Sequence, residues 1–198
     1  MISSLQADAF TESKGGGRAP LTVRKAVMHD ISPILDLING YAAKGVMLPR
    51  TEFEMSEAIR DFTVVYAGEE LLGCGALHFY SPTLAEIRSL AVTQRAKTQG
   101  VGRKLVEALV KEAQDYELDA AFAFTYVTEF FQKVGFHVVE RGVLPLKAWK
   151  DCVRCPKFQS CDEIAVLRVL RPERWDLQVW EVPTHEDHLI QIPTPSKA

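Results

Sequence analysis

The sequence has no apolar run near the ~20 residues needed to cross a bilayer. Its start, Met1-Ile2-Ser3-Ser4, also lacks the basic and apolar regions of a secretory signal. Both absences lead to the expectation of a cytoplasmic protein without a membrane partner. An excess of positive charge is missing as well: 23 Lys plus Arg stand against 26 Asp plus Glu, a net charge of −3. That excludes a chain built as a whole to hold nucleic acid, so any anion must be bound locally. Cysteine is scarce, and three of the four, Cys152, Cys155 and Cys161, are bunched as C-x2-C-x5-C, which does not make a disulfide framework in a cytosolic chain. Closely spaced thiolates suit a metal, but a closed zinc site takes four ligands and only three thiols are local. Reduced structural thiols are therefore expected first, and metal second. Two nucleotide signatures are absent too. The third glycine of a dinucleotide fingerprint would fall at Leu105, and no G-x4-G-K-[ST] loop occurs.

With 47% hydrophobic and 25% charged residues over 198 positions, the chain has the proportions of one domain with a substantial core. Residues 1–20 contain Ser13-Lys14-Gly15-Gly16-Gly17-Arg18, show no periodicity, and read as a disordered arm. Residues 171–198 carry Pro172, Pro183, Pro193 and Pro195, so they cannot form one long helix. Trp175 and Trp180 there are apolar enough to dock on the domain or on a second subunit of a homodimer. The domain proper is placed at residues 21–170.

Within it, Leu21 to Ala26 alternates like a strand, and Asp30 is positioned to cap a helix through Ile34, Leu35, Leu37, Ile38 and Ala42 that Gly45 ends. Thr51 and Glu54 form a capping box before a helix with Phe53, Met55, Ala58 and Ile59 inward. Strands follow at Thr63–Ala67, Leu71–Tyr80 and Leu84–Val92. Gly100 to Tyr116 has helical spacing, with Val101, Leu105, Ala108, Leu109 and Ala113 on one face. A strand at Ala120–Phe124, a short helix at Thr128–Val134 closed by Gly135, and strands near Phe136–Glu140 and Ile164–Leu170 complete the order β-α-α-β-β-β-α-β-α-β-β. This is an α/β pattern of the α+β kind: a mixed, mostly antiparallel sheet with helices on both faces.

The segment Lys97-Thr98-Gln99-Gly100-Val101-Gly102-Arg103 joins a strand to an amphipathic helix. Its glycines allow close backbone approach, and first-turn N–H groups without helical partners can face a phosphate. An ordinary tight turn opening a helix would look the same. In the preceding strand, alternation puts Glu86 and Arg88 on one face with Leu84 and Leu90. Glu86 is thus either a mid-strand base or the partner of a same-face ion pair with Arg88. Cys74 lies between Gly73 and Gly75 in an apolar strand, where an inert buried thiol is expected.

Leu84 to Leu105, a strand ending in Ala91-Val92 followed by a basic loop and Gly100-Val101-Gly102, resembles the acetyl-CoA-binding core of the GNAT superfamily of N-acyltransferases. Lys97 stands where that family usually has Gln or Arg. Phe130 to Phe136, Leu144-Pro145, Gly45 to Thr51 and Ile59 to Phe62 are similar to the acetyltransferase domain of N-acetylglutamate synthases, over roughly residues 22–170. The resemblance implies acetyl-CoA as co-substrate, held by Leu90, Ala91, Val92, Lys97, Thr98, Gln99, Gly100, Val101, Gly102 and Arg103. It implies Glu86 as general base and Arg50 on the substrate carboxylate; beside these, His78 on the neighbouring strand is the reserve base, and Arg88, facing the same cleft, the candidate for a second carboxylate. It puts Phe131 where many members have an acidic tyrosine, so that role passes to Tyr126 or to solvent. A thiol of pKa about 8.5 leaves readily without help. The implied reaction is acetylation of the α-amine of L-glutamate, the first step of arginine biosynthesis. Two alternatives stay open: glutamine or another small amine as acceptor, and a non-catalytic acyl-CoA sensor or interaction module.

Overall fold

A computed structural model describes residues 19–144, 157 and 160–175. The N-terminal arm up to residue 18, Cys152, Cys155 and the tail from residue 176 lie outside the described residues. Strand β1 (Leu21–Lys25) leads through a 3-10 turn at Met28–Asp30 into helix α1 (Ile31–Ala42), and α2 (Glu52–Ala58) follows. Three strands come next, β2 (Phe62–Ala67), β3 (Glu70–Phe79) and β4 (Leu84–Val92), then α3 (Val101–Asp115) and β5 (Ala120–Thr125). Short α4 (Thr128–Gln132), two-residue β6 (His137–Val138), β7 (Ile164–Val169) and α5 (Pro172–Trp175) close the order. The expected sequence of strands and helices is therefore present, with α4 and β6 shorter than their apolar runs indicated.

The strands form one seven-stranded sheet in the order β1-β2-β3-β4-β5-β7-β6. All neighbours are antiparallel except β4 and β5, which run parallel. Helix α3 lies on one face, burying Val101, Leu105, Val106, Leu109, Val110 and Ala113. The valine and leucine side chains each contribute roughly 1.5–3 kcal/mol relative to exposure. Close packing requires glycine in the strand beneath: a Cβ on Gly73 would stand 2.9 Å from the Ala91 carbonyl oxygen and 3.1 Å from Leu105 and Val101. On the opposite face, α1 and α2 cover Phe62, Val64, Cys74, Ala76 and Ala91 with Ile34, Ile38 and Met55.

Asp30 departs from expectation. It stands at the N-cap of α1 without a capping hydrogen bond. Its buried carboxylate instead accepts two bonds from Arg24 (2.7 and 2.9 Å), one from the Val27 N–H (2.8 Å) and one from the Tyr66 hydroxyl (2.8 Å). A bidentate guanidinium is a stronger partner than a helix N–H, and it ties β1, α1 and β2 together. Thr51 and Glu54 do form the expected box, with the Glu54 N–H on Thr51 Oγ1 at 3.2 Å and the Thr51 N–H on Glu54 Oε2 at 2.9 Å. Phe53, expected inward, is 72% exposed. Among the residues of α2, which is only seven long, Met55 alone is buried.

Burial alone would raise the Asp30 pKa, but the bonds from Arg24, Val27 and Tyr66 outweigh it and hold it at about 2. A folded-state value below the unfolded one stabilises the fold above the unfolded pKa near 4. That contribution is lost as pH falls toward 2, and a shift of this size corresponds to about 2–3 kcal/mol. Urea titrations of wild type and Asp30→Asn are expected to differ by that order at pH 7 and to converge only as pH falls through about 2. Gly73→Ala is expected to lower stability by about 1–3 kcal/mol at every pH, since its Cβ meets backbone that cannot swing aside.

Candidate active site

Strands β4 and β5 pair only at Leu84↔Ala120, Ala85↔Ala121 and Glu86↔Phe122. Beyond that vertex β4 continues against β3 and β5 against β7, so the sheet opens into a V. Inside the V, Ser89 takes φ +53°, and the β3–β4 register shifts between Cys74 and Ala76. This bulge corrects one expectation. Leu90 was placed on the face of Glu86 and Arg88, but the extra residue turns it to the other side, where it packs with Leu72, Val101 and Leu105 beneath α3. Glu86 and Arg88 keep a common face, opposite His78 and Ala76 of β3.

That face has two apolar covers. Helices α1 and α2 lie over Ala76 and Ala91, while Leu144, Tyr80, Phe124 and Trp175 gather over Leu84, Phe122 and Leu167. Glu86, Arg88 and His78 occupy the strip between them. Glu86 sits at the vertex of the V, 8% exposed, and its Oε2 accepts from the Tyr80 hydroxyl at 3.1 Å.

Arg50 reaches the same strip from the α1–α2 connection. Its Nε lies 3.3 Å from Ser89 Oγ, on the bulge. Its main chain is held on both sides by one residue: Asn39 Oδ1 accepts from the Arg50 N–H at 2.9 Å, and Asn39 Nδ2 donates to the Arg50 carbonyl at 3.0 Å. Sequence reading missed Asn39. Its only signal was a polar side chain within an otherwise apolar helix end. Cys74 lies under the bulge, fully buried, and loss of hydration pushes its thiol up to about 12.

The loop after β4 is a 3-10 turn at Gln94–Ala96. Gly100 then enters α3 with φ +75°, a conformation that favours glycine. No neighbour lies within 4 Å of a Cβ placed there, so the loop backbone is open to an approaching group. Gly102 has another reason, since its Cβ would meet Phe130 at 3.3 Å; it lets α4 pack on the first turn of α3. The side chains are arranged mostly around the loop. Gln99 donates to the Arg95 carbonyl (2.6 Å), and Arg103 reaches the Lys133 carbonyl (3.3 Å). Lys97 lies over the Tyr41 ring at 5.8 Å, and the Tyr41 hydroxyl donates to the Val92 carbonyl at 2.6 Å. Thr98 is exposed.

Tyr126 stands just past β5. Its hydroxyl donates to Asp162 at 3.0 Å and accepts from Lys157 at 3.3 Å. Burial foremost, and the bond to Asp162, raise its pKa, which makes it a weaker acid than a free phenol. Phe131 is buried and packs edge-on against Phe130 and Phe136, the packing role expected of it. Cys161 Sγ lies 3.2 Å from an Arg141 guanidinium nitrogen. No group of three or more metal-ligating side chains occurs among the described residues. A groove of about 350 Å³ between β1 and α3, lined by Val23, Lys25, Lys111 and Tyr116, lies on the far face of the sheet and includes none of these groups.

The V between the parallel strands thus has the open loop around Gly100 at its mouth and the buried carboxylate of Glu86 at its vertex. Residues 35–136 match the acetyltransferase (GNAT) family, and the chain belongs to that family. Its relatives include an uncharacterized N-acetyltransferase of Chlorobaculum tepidum, 40% identical over 77% of this chain and 98% of that one. An amino-acid acetyltransferase of Mycobacterium tuberculosis is 35% identical over 67% of this chain and 77% of its own length. Among solved structures, N-acetylglutamate synthase from Neisseria gonorrhoeae, complexed with coenzyme A and N-acetyl-glutamate, aligns with a TM-score of 0.70 at 26% identity over 78% of this chain. The chain spans 36% of that longer protein.

The depth of Cys74 gives a chemical check. Iodoacetamide at pH 8 is expected to leave the Cys74 peptide unlabelled in the native protein and to label it fully in urea, as read by mass spectrometry.

Proposed function

We propose that this chain transfers the acetyl group of acetyl-CoA to the α-amino group of L-glutamate. The observation that carries the proposal is the placement of Glu86 at the vertex of the V, with Arg50 and Arg88 along the same strip. A donor entering between β4 and β5 would meet free strand edge along Ile87–Val92. Its diphosphate would lie against the backbone of Lys97–Arg103, where a helix N-terminus and open N–H groups favour anions. Lys97 adds a cation beside that loop, and Gly100 lets the main chain approach closely.

The chain's own groups then divide the work. Arg50, with its backbone clamped by Asn39, presents a guanidinium able to grip a carboxylate through two parallel bonds, and Arg88 serves the second carboxylate of a dicarboxylic acceptor. Glu86 takes a proton from the acceptor ammonium, so the nitrogen lone pair can attack the thioester carbonyl. Tyr126, bound to Asp162 with its pKa raised, offers the sulfur little, and the sulfur leaves as a thiolate that solvent protonates. The named relatives support the amino-acid class of acceptor, because the Mycobacterium tuberculosis one is an amino-acid acetyltransferase and the gonococcal structure holds N-acetyl-glutamate.

Initial rates with acetyl-CoA against glutamate, glutamine, aspartate and a polyamine test this reading. Glutamate is expected to give the highest kcat/KM; preference for a carboxylate-free amine would overturn the acceptor assignment. Glu86→Gln is expected to lower kcat by roughly 10²–10⁴-fold. Arg50→Ala is expected to raise the KM for glutamate by about 10–100-fold, as for loss of one charged bidentate contact, while leaving the KM for acetyl-CoA within a factor of two.

A further inference from the structure

Acetylation of an ammonium releases two protons from nitrogen. One ends on the departing sulfur; the other must reach water in every turnover. Resting on the proposed reading, Glu86 is the first acceptor of that proton, but at 8% exposure it has little contact with bulk solvent. The structure supplies a neighbour that can. His78 lies directly across the β3–β4 pairing from Glu86, and its side chain is 30% exposed. Its Nδ1 stands 3.0 Å from Asp61 Oδ2, in the 3-10 turn that follows α2. The ring packs edge-on against Tyr80 at 5.1 Å between centroids, and Tyr80 in turn donates to Glu86. Glu86, Tyr80, His78 and Asp61 thus form a contiguous row from the vertex of the V to the surface, with Arg88 on the same face of β4.

We infer that His78, oriented by Asp61, is the outlet through which the proton taken by Glu86 leaves the site. Asp61 at Nδ1 keeps a hydrogen on that nitrogen, so Nε2 carries the lone pair and is the proton acceptor. In the step, an O–H bond of protonated Glu86 breaks and an N–H bond forms at Nε2, directly or through one water. The imidazolium, stabilised by Asp61, then gives its proton to water or buffer, which restores both groups. No oxidant or further reactant is required. A purely architectural explanation of the Asp61–His78 contact, joining the end of α2 to β3, makes a different prediction, because it needs only a hydrogen bond and not a basic Nε2.

The experiment is steady-state kinetics on the full chain with acetyl-CoA and the best acceptor amine. His78→Ala is expected to lower kcat by about 10–100-fold while leaving the KM for acetyl-CoA and the thermal midpoint nearly unchanged. Added imidazole is expected to restore a substantial part of the lost rate in a saturable way. Asp61→Asn is expected to lower kcat less, with a weaker response to imidazole. His78→Gln, which keeps a hydrogen bond to Asp61 but no basic nitrogen, is expected to behave like His78→Ala in rate and to melt like wild type; it serves if the alanine variant misfolds. A kcat within twofold of wild type in both variants, or a loss that imidazole does not repair in a folded variant, overturns the inference. Wild type that acetylates some other amine in preference to glutamate overturns the acceptor assignment and leaves this test intact. Wild type with no turnover on any amine overturns both.

Discussion

The parting of β4 from β5 after the Glu86↔Phe122 pair is the constraint on which the other features of the site depend. Parallel strands normally exchange evenly spaced hydrogen bonds along their length. Here that exchange stops after three pairs, which leaves main-chain groups of β4 available to another extended molecule. The separation persists because each strand has a partner on its outer side: β4 pairs with β3 over Leu77↔Ile87 and beyond, and β5 with β7 along six residues. The bulge at Ser89 works with it. By moving Leu90 under α3 while Arg88 stays on the open face, it anchors the strand to the core on one side and keeps charged groups beside Glu86 on the other. A regular strand would have put Leu90 in the strip beside Arg88.

Much of this was legible in the sequence, for identifiable reasons. Strand β4 was bounded correctly at Leu84 and Val92 because alternation, β-branched residues and a following basic loop agree. Helix α3 was found from its apolar stripe and the glycine before it. The capping box at Thr51 and Glu54 is a local contact of three residues' span, and local contacts can be read from sequence. The errors fell where a distant partner decided the outcome. Asp30 has the chemistry of a cap, but Arg24 and Tyr66 reach it first. Gly102 also leaves room for the Phe130 ring, a contact invisible in the sequence because it depends on the packing of α4. The bulge left no mark, since Ser89 is an ordinary residue for a strand and its positive φ is imposed by mispaired register.

The candidate site shows the same division. Glu86 and Arg88 could be placed together by period-two reasoning alone. The meeting of Arg50 with Ser89, or of His78 with Asp61, required the tertiary arrangement, because each pair joins separate elements of the chain. Asn39 is the clearest instance. Its amide matches both hydrogen-bonding groups of the Arg50 main chain, eleven residues away, and so orders the loop that carries the guanidinium before any ligand arrives. Ordering that precedes binding lowers the entropy lost on association.

The brevity of β6 affects how these molecules behave in company. A sheet ending in a long bare edge invites the edge of another copy, the first step of ribbon-like assembly. Here the final strand offers two residues, His137 and Val138, and the opposite margin, β1, carries Arg24 and Lys25. Among the described residues, then, one border is two residues long and the other carries charged side chains, both features that discourage intermolecular ladder growth.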